Sequence, residues 1–258
     1  MIKILKLAMI IAIGTNLGFV TSLKSSEISA SNELKENEDL KSCFLIPNIN
    51  LSNKNLKDKD LKDLSDNPNI TNVTLLNLFY NPLLTPEGIK ELNKLRNLTH
   101  LNLGGNEMGD NLIEVLSGED CTYRLKSLDL GRNNLTATGI NKLVASNHSS
   151  YLVDLRLYEN NLKDEDIQLL TFLTNLEILD LSANDMGDEG LSQIAQNLTN
   201  LNELYLRGNN KIYDHMPLIQ LPKLTKLYFA GNSLNDESRE ELYNHSQITT
   251  LELEVDYS

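Results

Sequence analysis

Nine times between Ile46 and the C-terminus the chain returns to one template, L-x-x-L-x-L-x-x-N-x-L, in which Ile, Val, Phe or Met replaces some leucines. The units start at Ile46, Val73, Leu98, Leu125, Leu152, Leu176, Leu201, Leu224 and Ile248, with a period between 23 and 27 residues. A unit that short has no room to enclose its own apolar face and buries it only by stacking on copies of itself. The template therefore demands a solenoid, one continuous stack rather than two globular domains.

Within each unit the inner apolar pair, such as Leu101 and Leu103 or Leu179 and Leu181, is two residues apart, the period of a strand with alternating faces. One strand per unit makes a parallel sheet, and parallel connections require the rest of each unit to return over the opposite side. Asn81, Asn106, Asn133, Asn160, Asn184, Asn209 and Asn232 each follow the last strand leucine or phenylalanine by three. An amide at that point is placed to bond backbone groups left unpaired where the chain turns away, which predicts a polar ladder along the stack. Lys54 and Asp256 interrupt it only in the first and last units.

The return segments read as short helices. Thr85 is placed to cap, Pro86 fits a first helical position, and Ile89 and Leu92 share a face. Leu191, Ile194, Ala195 and Leu198 form an i, i+3, i+4, i+7 stripe, and residues 138–144, 164–170 and 236–242 read likewise. Pro217 and Pro222 in the 23-residue unit predict an irregular turn instead.

On these residues the chain resembles the leucine-rich repeat family, and the stretch NDMGDEGLSQIA is similar to its ribonuclease-inhibitor type. The resemblance covers residues 46–258. It implies an α/β leucine-rich repeat solenoid, a horseshoe with a parallel concave sheet of about nine short strands and helical or irregular convex segments. It also implies a protein as the usual partner, while the template itself describes core and turns and names no function.

Ahead of the repeats, residues 1–22 read as a signal peptide: Lys3 and Lys6 give a positive start, residues 7–13 an apolar run, and Val20 with Ser22 the small residues before a cut. The span is short for a bilayer and is broken by Gly14, Asn16 and Gly18, so no stable membrane insertion is expected after its removal. Residues 23–42 read as a flexible polar leader and 43–258 as the repeat domain. The expected location is secreted, periplasmic or cell-surface, in keeping with a bacterial or host-directed protein. If residues 1–22 are retained, the alternative is a cytosolic regulator or inhibitor of an enzyme. Removing them takes the formal charge from −13 to −15, which opposes nucleic acid and steers basic partners inward.

Motifs for a phosphate loop, a serine nucleophile, a zinc protease or paired C-x-x-C are absent from the sequence, so no enzyme, cofactor or metal is expected. Cys43 and Cys121 fall three repeats apart, about 15 Å in a stacked sheet, too far for a disulfide. Cys121 with His100 of the adjoining repeat would be the nearest approach to a nucleophile and base, but Cys121 precedes its strand and belongs toward the return side. Asp129, Asp154 and Asp180 on consecutive strands invite a calcium reading. Arg132 and Arg156 are expected to neutralise them, and no loop alternates oxygen ligands.

Alternation lets the outward residues of the sheet be named. In the C-terminal units, the adjacent Tyr205 and Tyr228 flanked by Tyr158, Arg156 and Arg207, with Lys226 beside them, form the candidate partner-binding patch, since Tyr and Arg are frequent interface anchors. The N-terminal half of the face, including Asn77, Asn102, Gly104 and Gly131, is small or polar, with Phe79 as an isolated anchor. Acidic residues Glu252, Glu254 and Asp256 on the last strand discourage edge pairing, which predicts a monomer.

Overall fold

The computed structural model describes residues 48–253 apart from 71 and 119. The signal sequence, the leader, Cys43, Glu254 and Asp256 lie outside the described residues.

Nine strands of three residues each follow in chain order: β1 (Asn48–Asn50), β2 (Leu75–Asn77), β3 (His100–Asn102), β4 (Ser127–Asp129), β5 (Asp154–Arg156), β6 (Ile178–Asp180), β7 (Glu203–Tyr205), β8 (Lys226–Tyr228) and β9 (Thr250–Glu252). They form one open parallel sheet in sequential order, and register pairs Leu76, Leu101, Leu128, Leu155, Leu179, Leu204, Leu227 and Leu251 one after another. From Leu76 to Leu227 these leucines are buried, and together with the second strand leucines and the return helices they form a single apolar column. Each buried leucine contributes about 1.5–3 kcal/mol of transfer free energy. No unit retains that column without its neighbours. The chain is thus a leucine-rich repeat solenoid.

The return side carries α1 (Asp58–Ser65), α2 (Pro86–Ile89) running into a 3-10 turn (Lys90–Lys94), α3 (Asp110–Leu116), α4 (Ala137–Val144), α5 (Asp164–Leu170), α6 (Asp188–Asn197), α7 (Met216–Ile219) and α8 (Asp236–Asn244). Sequence periodicity finds α2, α4, α5, α6 and α8 and passes over α1 and α3. The proline-rich unit holds only the four residues of α7, because Pro217 removes a donor and fits only the first turn. The convex side is therefore mixed.

The asparagine ladder is built as expected. Asn160 Nδ2 donates to the carbonyls of Leu130 (3.1 Å) and Leu157 (3.0 Å), and its Oδ1 accepts from the amides of Asn133 (3.2 Å) and Leu135 (2.9 Å). Asn209 and Asn232 keep both donor bonds, but their Oδ1 atoms are buried without a partner. The ladder thins where the units shorten. The residue before each ladder asparagine adopts a left-handed conformation, filled by Gly105, Gly208 and Gly231 in some units and by Tyr80, Arg132, Glu159 and Ala183 in others.

A second ladder was not anticipated. Asp58, the first residue of α1, accepts from the amide (2.9 Å) and hydroxyl (2.7 Å) of Thr85, which precedes α2. Asp110 does the same for Thr136 before α4 (2.9 and 2.5 Å), and Asp164 accepts from the Gly187 amide before α6 (2.6 Å). These three helix starts are thus capped by the helix one unit earlier, whereas the side chain of Thr85 accepts no bond from its own helix. The carboxylates lie against Gly88, Gly139 and Gly190; a Cβ on Gly190 would stand 2.7 Å from Asp164 Oδ1. That contact explains the glycine in the PEG, ATG and DEG triplets.

Candidate protein-binding surface on the concave sheet

Three outward rows cross the sheet. The central row, between the strand leucines, reads Asn50, Asn77, Asn102, Asp129, Arg156, Asp180, Tyr205, Tyr228 and Glu252. In β1 to β4 and β6 the side-chain oxygen of this residue accepts from the amide two positions on, at 2.9–3.1 Å, and so ends the strand. Tyrosine lacks such a short acceptor, so Tyr205 and Tyr228 are left to stand away from the backbone. Their rings stack at 4.2 Å between centroids and 2° between planes.

Cations close both ends of this stack. The Arg156 guanidinium lies 5.7 Å from the Tyr205 ring centre and that of Arg207 5.1 Å from the Tyr228 ring centre. Every cation of the patch also has an anion: Arg156 with Asp154 (3.3 Å), Lys226 with Glu203 (2.9 Å), and Arg207 with Glu252 two strands away. The Tyr205 hydroxyl donates to Glu203. Burial, then the Glu203 carboxylate, pushes the Tyr205 phenol well above its ordinary range, so it remains a neutral donor. Five of the expected residues, Arg156, Tyr205, Arg207, Lys226 and Tyr228, form one contiguous, internally neutralised surface.

Tyr158 does not join it. The ring lies over the Cα of Gly131, where a Cβ would overlap it, and its hydroxyl reaches Gly104; a Cβ there would meet Tyr158 Oη at 2.9 Å and Phe79 Cδ2 at 3.1 Å. Two glycines just past adjacent strands leave a trough that the ring fills, so Tyr158 leans toward Phe79 and away from Tyr205. Phe79 is accordingly not isolated. It converges on Tyr158 and sits 6.2 Å from the ring of Tyr80, which is 51% exposed and which the alternation argument had no reason to select.

The aspartates beside this trough differ from expectation as well. Arg132 pairs with Glu159 at 2.5 Å and neutralises none of them, because its left-handed backbone turns it out of the sheet row. Asp129 accepts from Asn102 Nδ2 (2.9 Å) and the Gly131 amide (3.1 Å). Burial raises its pKa from the ordinary 3.8 to about 6, against the pull of the Gly131 amide and Arg156. Asp180 is raised too, again chiefly by burial. Glu252 is tied to Arg207, so it is not a free charge guarding the last edge.

Cys121 does meet a histidine, but it is His148. The sulfur stands 3.5 Å from Nε2 in a buried pocket, with Tyr123 stacked on the imidazole at 5.6 Å. The Leu125 amide approaches Nδ1 (3.4 Å) and the Leu116 carbonyl lies 2.9 Å from Nε2, an arrangement that puts the proton on Nε2. That nitrogen has no lone pair for the thiol proton, burial lowers the His148 pKa, and burial raises that of Cys121. The pair pins a turn; it is not an activated nucleophile.

A model of the family described as Leucine Rich repeat matches residues 69–92, 94–111, 125–144 and 172–195. Those segments lie within the solenoid and are similar to that family. Internalin C2 from Listeria monocytogenes, known from a crystal structure, is similar with a TM-score of 0.56 and 26% identity over 81% of this chain and 80% of its own. Keratocan of Coturnix japonica is 31% identical over 74% of this chain and 52% of its own length, and Toll-like receptor 2 type-2 of Gallus gallus 29% identical over 61% and 22%. The chain spans about a fifth to about half of these two curated relatives. No helix among the described residues is long and apolar enough to cross a membrane.

Proposed function

We propose that this protein is an exported, non-catalytic scaffold that recognises a protein partner on the concave sheet, using Phe79, Arg156, Tyr158, Tyr205, Arg207, Lys226 and Tyr228. The observation that carries this reading is the Arg156–Tyr205–Tyr228–Arg207 stack, preformed on an open sheet face. Rings and guanidinia already held in place by stacking and ion pairs lose little side-chain entropy on binding, and tyrosine and arginine are enriched among interface hot spots. One relative is by name a receptor, which fits partner recognition by this fold. The likeness to the ribonuclease-inhibitor type rests on the stretch NDMGDEGLSQIA, residues 184–195, and remains part of this proposal, as do export through residues 1–22, a monomeric state and a preference for basic partners.

The test is affinity capture with the wild-type protein and the Tyr205→Ala/Tyr228→Ala double variant in parallel, read by quantitative mass spectrometry. Loss of two hot-spot rings costs about 2 kcal/mol or more, roughly thirty-fold in affinity. The specific partner should disappear from the variant while thermal unfolding stays unchanged. Undiminished capture removes the proposed surface, and an intact N-terminus on the protein recovered from its own cells removes the export assignment.

A further inference from the structure

The two halves of the concave face are electrostatically unlike. In the C-terminal half Arg156, Arg207 and Lys226 are each paired. In the N-terminal half a depression of about 370 Å³ opens over β2 to β5, with Asp129 and Asp154 at one side and Leu75 and His100 at the other. Asp129, Asp154 and Asp180 stand on three neighbouring strands with Arg156 among them, and Arg207 also acts on Asp180. The Arg156 guanidinium pairs with Asp154 and turns toward Tyr205. Among the described residues Asp129 and Asp180 make no ion pair. Each Asp129 oxygen accepts one neutral donor, from Asn102 or Gly131, and keeps a lone pair for another.

A partly buried carboxylate held by neutral donors is unfavourable until a cation arrives, and a charge-assisted bond to it is about twice as strong as a neutral one. Building on the reading of the concave face as a protein-binding surface, we propose that this depression is a subsite for a lysine or arginine side chain of the partner, received by Asp129. Leu75, half-buried at the rim, covers the aliphatic stem. Asp154 and Asp180 add attraction without contact, and the acidic chain as a whole steers a basic segment inward. The groups facing Asp129 are His100 and Asn102 from β3, Asp154, Arg156 and Tyr158 from β5 and its flank, and Asp180 from β6. A divalent ion is the competing occupant, and no described group of three histidine, cysteine or acidic side chains is arranged to hold one.

The probes are the pentapeptides Gly-Gly-Arg-Gly-Gly and Gly-Gly-Gln-Gly-Gly, titrated into the full chain labelled with nitrogen-15 at glycine. Expected is a saturable shift of the Gly131 amide with the arginine peptide alone, weaker by about tenfold in Asp129→Asn and at pH 5. Equal response to both peptides, an unaffected Asp129→Asn variant, or saturation by calcium chloride at lower concentration than by peptide would overturn the subsite. The wild-type comparison of the two peptides needs no variant to fold. Partner capture separates the two ideas: if Tyr205→Ala/Tyr228→Ala abolishes capture and Asp129→Asn leaves it intact, the subsite falls and the docking face stands. If neither variant alters capture, both fall.

Discussion

Replacing Asp129 by Asn should make this protein more stable at neutral pH, and the gain should vanish in acid. The carboxyl titrates near 6 in the folded chain against an ordinary 3.8, chiefly because of burial. A folded pKa above the unfolded one means that the native state holds the proton more tightly. Its contribution is therefore complete below 3.8 and is lost as pH rises through 6. The loss is about 3 kcal/mol, two pKa units and a little more at about 1.4 kcal/mol each. Asn carries no charge to bury, but its amide would face the Asn102 amide that now donates to Asp129 Oδ2, forfeiting one hydrogen bond worth about 1 kcal/mol. Partial solvent screening trims the remainder to about 1–2 kcal/mol. Urea unfolding of both proteins at pH 7.5 and pH 4, followed by far-UV circular dichroism, reads the difference. A variant less stable at pH 7.5, or a difference that does not change with pH, would refute the claim that an unfavourable carboxylate is kept at this position. Stability sacrificed for a charge is what a cation subsite requires.

Other substitutions follow from the two ladders and the trough. Asn160→Ala strands two carbonyls and two amides and should destabilise by about 3–5 kcal/mol, whereas Asn232→Ala strands two carbonyls and should lose about 2; urea midpoints rank them, and equal losses would refute the ladder. Ala183→Gly, at φ 52°, should gain about 0.5–1 kcal/mol in the same assay, and a loss would show that no strain resides there. Gly131→Ala should displace the Tyr158 ring and weaken partner capture while moving the unfolding free energy by less than about 0.5 kcal/mol, and unchanged capture would remove Tyr158 from the interface.

The sequence by itself determined the stack, the register, the asparagine ladder and which side chains leave the sheet outward. Those follow from a period of two within each unit and a fixed template between units, and neither depends on rotamers. It was silent on α1, whose only buried leucines are Leu61 and Leu64, and on α3, which begins after Gly109 at φ 65° without a capping side chain. Only the tertiary structure decided where the outward side chains go. Tyr158 turns to Phe79 because Gly104 and Gly131, 54 and 27 residues earlier, carry no Cβ. Arg207 chooses Glu252, 45 residues on, over any anion of its own unit, and Asp129 lies beside an arginine committed elsewhere. These are contacts between neighbouring coils, set by side-chain volume and rotamer, and a repeat pattern specifies the position of each residue without specifying the direction in which it leans.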